Sequence, residues 1–109
     1  KKSDGLIDWN NSVTDILNLI RGTRPWPGAF THYNGKLLKI HKAELTDVAL
    51  LTKGSYSAGE ILNISKKGIN VATGKGVLLI QELQIEGKRS MAAEEFISGH
   101  KISPGFRFI

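Results

Sequence analysis

Apolar residues recur at the spacing of a helix early in the chain and at the spacing of strands through most of the rest. Val13, Ile16, Leu17 and Ile20 stand at i, i+3, i+4 and i+7, which places them on one helical face. Asn10 or Ser12 can cap that helix, Asp15 and Arg21 suit its dipole, and Gly22 can supply a left-handed stop. Residues 6–9 read as a short extended lead-in, with Trp9 placed to pack back onto the first turn. From Ala29 the period changes. Residues 29–33 and 36–44 flank Asn34-Gly35, the strongest short hairpin signal a sequence offers. In the second arm Leu38 and Ile40 share one face while Leu37, Lys39 and His41 share the other, which predicts a basic outer surface over an apolar inner one.

Residues 45–58 are less legible: 48–51 fit either a strand or a helical turn, and loop chemistry follows. Beyond them three strands are expected at 61–64, 69–73 and 77–85, separated by turns at Lys66-Lys67-Gly68 and Gly74-Lys75-Gly76. Ser90 is expected to cap a short helix over 91–98 that ends at Gly99, and Pro104-Gly105 to turn the chain into a last strand, 106–109.

Between helix and strands lies Pro25-Trp26-Pro27-Gly28. Two of the three prolines and one of the two tryptophans fall here, so the backbone is stiff and extended and cannot continue a helix. Trp9, Pro25, Trp26, Pro27 and Gly28 are therefore read as structural, with Trp26 plugging the corner where helix meets sheet. A ligand-binding aromatic is the alternative at Trp26.

The sum is a mostly β chain, an OB-like small antiparallel barrel with one N-terminal helix and one short helix near the C-terminus. At 109 residues it is one domain that can bury roughly two-thirds of its unfolded surface. Residues 6–109 form that domain, and polar, glycine-containing residues 1–5 read as a linker cut from something longer. No apolar run is long enough to span a membrane, and no cysteine or leader pattern points to secretion, so a cytoplasmic monomer is expected.

Charge adds a partner class. The net charge of +5 suits a polyanion, yet it is spread over both halves of the chain, so any basic patch must be assembled by folding. Turn parity in the meander puts Lys66-Lys67 and Lys88-Arg89 at one end of the sheet and Lys75 at the other.

Enzymatic chemistry finds little support. His32, His41 and His100, with no cysteine, make a poor metal set, and hairpin counting keeps His32 and His41 from facing each other. Glu94 and Glu95 are adjacent and diverge on a helix, Leu79 stands where a dinucleotide loop begun at Gly74 needs glycine, and no serine sits in a nucleophile elbow. No catalytic residue, metal site or cofactor-binding site is assigned to this chain.

One resemblance runs through these features in order: Ile7-Asp8-Trp9, the helix to Arg21, Pro25-Trp26-Pro27-Gly28-Ala29-Phe30, the run from Gly68 to Gly76, Leu83-Gln84, Gly87-Lys88, Met91, Glu95-Phe96 and Gly99. Together they resemble the C-terminal domain of the methionyl-tRNA formyltransferases, within the formyltransferase C-terminal domain superfamily, from about Lys2 to Ile109, with 45–58 divergent. The resemblance implies an OB-like barrel following, in cis, a Rossmann-type catalytic domain that uses 10-formyltetrahydrofolate. It implies that catalysis lies in that other domain, and that a basic surface here meets the initiator Met-tRNA. By position this surface comprises Lys1 and Lys2 in the linker, Lys39 and Lys42 after the hairpin, and Lys88 with Arg89 beside it, to which turn parity adds Lys66 and Lys67. Two other functions stay open: the same module in a formyltransferase acting on a nucleotide sugar or hydrolysing the folate, and a free-standing OB-like nucleic-acid binder.

Overall fold

The computed structural model describes residues 2–23, 28–46, 56–100 and 102–108. Lys1, the Pro25-Trp26-Pro27 corner and residues 47–55 of the less legible stretch lie outside the described residues.

Lys2–Gly5 form a 3-10 turn, and helix α1 spans Val13–Gly22. The Ser12 hydroxyl caps α1 by accepting the Asp15 N–H at 3.2 Å, and Val13, Ile16, Leu17 and Ile20 are all buried. Gly22 is not the left-handed stop; it remains helical. Thr23 ends the helix at φ −99°, donating both its N–H (3.1 Å) and its hydroxyl (2.7 Å) to the Leu19 carbonyl, so a side chain does the work a glycine was expected to do.

Strands β1 (Phe30–Tyr33) and β2 (Lys36–Thr46) form the expected hairpin, with Tyr33 across from Lys36 and His32 across from Leu37. Asn34 (φ 50°) and Gly35 (φ 80°) are both left-handed, as the two-residue turn matching strand twist requires. The meander follows as β3 (Ile61–Ser65), β4 (Gly68–Ala72) and β5 (Val77–Ile85). Residues 91 and 92 depart from the expected helix. Met91–Ala92 form strand β6 against Leu83 and Glu82, and helix α2 (Ala93–Gly99) starts only after Ala92, with no side-chain cap from Ser90. β4 accompanies β5 through the Ile69–Ile80 pair, so the rest of that β5 flank is open, and β6 occupies it.

The closed OB-like barrel expected from strand count is not what forms. The sheet order is β1-β2-β5-β4-β3 with β6 on β5, and its outer strands β1 and β3 do not pair with each other. Each outer strand instead meets an end of the chain at one point, β1 at Phe30 and β3 at Ile61, which satisfies part of the backbone that closure would otherwise pair. On β1, Leu6 forms a parallel bridge to Phe30 and the Ile7 N–H donates to the Phe30 carbonyl (2.8 Å). On β3, the Ile61 N–H donates to Phe106 O (2.7 Å), Gly105 N–H to Ile61 O (2.8 Å) and Phe108 N–H to Gly59 O (2.9 Å). Among the described residues the predicted last strand is thus an extended strap with one bridge, Glu60 to Arg107. The two ends meet through side chains: the Trp9 indole stacks on Phe108 with ring centroids 6.1 Å apart and donates its N–H to Thr31 Oγ1 at 2.9 Å. Trp9 therefore joins the seam between the chain ends.

Gly74-Lys75-Gly76 is a turn between β4 and β5, and its glycine has a steric reason. The Gly74 N–H reaches the Trp9 and Asn11 carbonyls (2.8 and 3.0 Å), and a Cβ there would lie 1.8 Å from the Asn10 oxygen.

Candidate nucleic-acid interface

β2 splits its side chains between two environments. Leu38 and Ile40 point into the core, 0% and 2% exposed, packed with Leu83 and Ile85 of β5. Lys39 and His41 alternate with them and look outward, half-buried. Near Lys42 the β2–β5 register is irregular: Ile40 pairs with Leu83, Lys42 with Glu82, and Ala43 with Ile80. Lys42 is exposed there, with an acidic residue as its cross-strand partner.

A hydrogen-bond chain crosses this outer face. Gln84 donates its amide N–H to the Lys88 carbonyl (2.8 Å), which leaves its oxygen to accept from His41 Nε2, also at 2.8 Å. The chain ties β2, β5 and the turn after β5 into one unit. Beside it lies an open cleft of about 230 Å³ lined by Leu37, Lys39, Gln84, Ile85, Glu86 and Gly87. Glu86 is held at the hairpin base, where its carboxylate accepts the Leu37 N–H (2.8 Å) and its own N–H donates to Leu37 O (2.8 Å). Lys36 and Lys88, both exposed, flank this end.

The structure therefore sets Lys39 on a cleft whose Gln84 wall is tied to the Lys88 backbone, with Lys42 further along β2. Lys66 and Lys67 are exposed in the β3–β4 turn and stand apart. Ile69 pairs with Ile80, and β5 runs on from there for five more residues, about 17 Å at roughly 3.3 Å per residue, before it ends at Ile85. Arg89 is exposed and forms an ion pair with Glu95 at the start of α2, so its charge is locally balanced. Lys2 begins the 3-10 turn, and Lys1 lies outside the described residues. Among the residues expected to be structural, Trp9 is buried and Gly28 adopts φ 85° with its N–H on the Thr23 carbonyl (2.9 Å).

Lys36 and Gln84 were not among the expected site residues. Lys36 was detectable, as the first residue after an Asn-Gly turn on the strand that carries Lys39. The role of Gln84 had no local signal, because it depends on the β2–β5 register. Among the described residues no three His, Asp or Glu side chains converge on a point that could hold a metal. This surface offers cations over strand backbone, a means of holding phosphates in register without reading bases.

Residues 1–101 match the family model described as the formyl transferase C-terminal domain, and the chain belongs to that family. It is 45% identical over 105 residues to the methionyl-tRNA formyltransferase of Citrifermentans bemidjiense, covering 96% of this chain and 31% of that protein. It is 44% identical over 107 residues to the methionyl-tRNA formyltransferase of Geobacter metallireducens, covering 98% of this chain and 32% of the relative. The chain thus spans about a third of the length of the curated relatives it matches. Among solved structures the fold is shared with HypX from Aquifex aeolicus, crystallised in complex with tetrahydrofolic acid, at a TM-score of 0.72 and 13% identity over 97% of this chain and 21% of that one. No helix among the described residues is long and apolar enough to cross a membrane.

Proposed function

We propose that this chain is the non-catalytic C-terminal domain of a methionyl-tRNA formyltransferase. The parent would transfer a formyl group from 10-formyltetrahydrofolate to the methionine amino group of initiator Met-tRNA, in the cytoplasm and as a monomer. The observation that carries this reading is identity above 40%, over nearly the whole chain, to proteins of that name. Catalysis and the folate belong to a preceding Rossmann-type domain. The role of this domain is electrostatic: Lys39 and Lys42 on the outer face of β2, with Lys88 in the turn after β5, neutralise tRNA phosphates and hold the acceptor in place by counterion release. Lys66 and Lys67 are a second, separate point of contact, and Lys1 and Lys2 continue the track toward the preceding domain.

The test is titration of tRNA into the full-length parent at several salt concentrations. The wild type should bind with a steep negative slope of log affinity against log salt, and each phosphate contact removed should flatten that slope by roughly 0.9. A parent that binds no tRNA at low salt, yet formylates a nucleotide sugar or turns over the folate alone, overturns the reading.

A further inference from the structure

The irregular register between β2 and β5 has one side chain at its centre. Ile40 pairs with Leu83 and Lys42 with Glu82, which are consecutive in β5, so His41 is the extra residue of a bulge on β2. A bulge twists its strand locally and re-aims the side chain it carries. His41 reaches diagonally to Gln84, whose own cross-strand partner is Lys39. The direction of both hydrogen bonds is set by the Lys88 carbonyl, which can only accept. The Gln84 amide N–H therefore faces that carbonyl, its oxygen faces the imidazole, and His41 Nε2 must carry a hydrogen, with both bonds at 2.8 Å. Nδ1 is then the atom that gains or loses a proton, and among the described residues nothing bonds to it.

We propose that His41 is a phosphate ligand on this face and that tRNA binding there takes up a proton at its Nδ1. The inference deepens the reading above, on which it rests. A histidine whose Nε2–H is held by an amide oxygen can accept a second hydrogen without breaking that bond, and the imidazolium then offers Nδ1–H to a phosphate oxygen. The charges around the ring decide when this happens. On β2, Lys39 stands two residues away on the same face, so a cation already opposes a second one in the free protein. On β5 and the turn after it, Gln84 is neutral, Glu82 lies across from Lys42, the Glu86 carboxylate is engaged by the Leu37 N–H (2.8 Å), and the exposed Lys88 adds positive charge. On β1, Tyr33 joins the core and His32 pairs with Leu37, roughly 13 Å down the strand from His41 at about 3.3 Å per residue. Helix α1 buries Ile16 and Ile20 with Leu38 and Ile40, on the opposite face. A phosphate arriving among these lysines reverses the local balance and favours the charged ring. The proton comes from solvent and stays on the imidazole, so the complex binds more protons than the free protein and affinity rises as pH falls. Histidine is the side chain whose charge changes in the physiological range, which puts this linkage near neutral pH.

The experiment is calorimetric titration of unacylated initiator tRNA into the full-length parent, as wild type, His41→Gln and His41→Lys, from pH 6 to pH 8 in two buffers of different ionisation enthalpy. The difference in heat between buffers counts the protons taken up, a readout that a merely structural role for His41 does not move. With phosphate favouring the imidazolium about tenfold, wild type should take up about half a proton more per complex at pH 7 than His41→Gln. It should also lose about fivefold more affinity than His41→Gln between pH 6 and pH 8. His41→Gln keeps a donor for Gln84 and does not titrate, and His41→Lys, a fixed cation, should bind more tightly than His41→Gln at pH 8 with no more proton uptake. Equal uptake by wild type and His41→Gln overturns the proposal, as does a His41→Lys protein that binds more weakly than His41→Gln. If none of the three binds tRNA at low salt, the functional reading fails with it. If all three bind alike at every pH, only this inference fails.

Discussion

The inner and outer faces of the β2–β5 pair are made from alternate residues of the same two strands, yet they answer to different physics. Inside, Leu38, Ile40, Leu83 and Ile85 are 3% exposed or less and packed in one cluster. Outside, Lys39, His41 and Gln84 are half-buried and meet solvent, one another and the turn at Lys88. Packing density governs the first face and long-range charge the second, so a substitution should strike stability or binding according to the parity of its position.

The sharpest way to break this division is in the core. Leu83→Ala removes a fully buried side chain facing β2 and should cost about 2–5 kcal/mol in chemical denaturation, leaving the salt slope for tRNA unchanged in the protein that remains folded. A mutant of wild-type stability that had lost tRNA affinity would reverse the assignment of faces.

Gly74→Ala tests whether the seam is as tight as the core. Its Cβ would meet the Asn10 backbone oxygen, and backbone cannot rotate away as a side-chain tip can, so a loss of roughly 2–4 kcal/mol is expected from thermal or denaturant melts. Trp9→Phe keeps most of the stacking surface on Phe108 and removes only the donor to Thr31, for which about 1–2 kcal/mol is expected.

On the outer face the order of effects inverts. Lys39→Ala combined with Lys88→Ala should move stability by less than about 1 kcal/mol while lowering the salt slope for tRNA by nearly 2. An unchanged slope would move the phosphate track elsewhere, with the Lys66-Lys67 turn the first place to look. Arg89→Ala should do least. Its exposed ion pair with Glu95 is worth about 0–1 kcal/mol, and a cation already balanced contributes little to counterion release, so both the melt and the slope should stay near wild type.

Much of this was readable before any coordinates, wherever the cause was local. The i, i+3, i+4, i+7 spacing of Val13 to Ile20 names a helical face because the period is a property of the helix itself. Asn34-Gly35 names a hairpin because so few residue pairs tolerate two left-handed conformations in succession, and counting outward from it gave the correct cross-strand partners as far as Lys39. The basic face of β2 follows from that register. The candidate site was legible to the same extent: Lys39 and Lys42 could be placed on a strand, whereas their distance from Lys66 and Lys67 could not.

What the sequence by itself determined, then, is the set of elements, the sidedness of β2 and a family likeness carried by ordered motifs. Tertiary structure alone decided how those elements meet. That β2 pairs with β5, that Met91–Ala92 add a strand before α2, and that the outer strands meet the chain ends rather than each other are choices between partners distant in sequence. Local propensity is nearly silent on them, because the backbone donors and acceptors of an outer strand are satisfied equally well by another strand or by a terminal strap. The outcome turns on which alternative also buries its side chains, and here Trp9 on Phe108 over the seam is the contact that accompanies it.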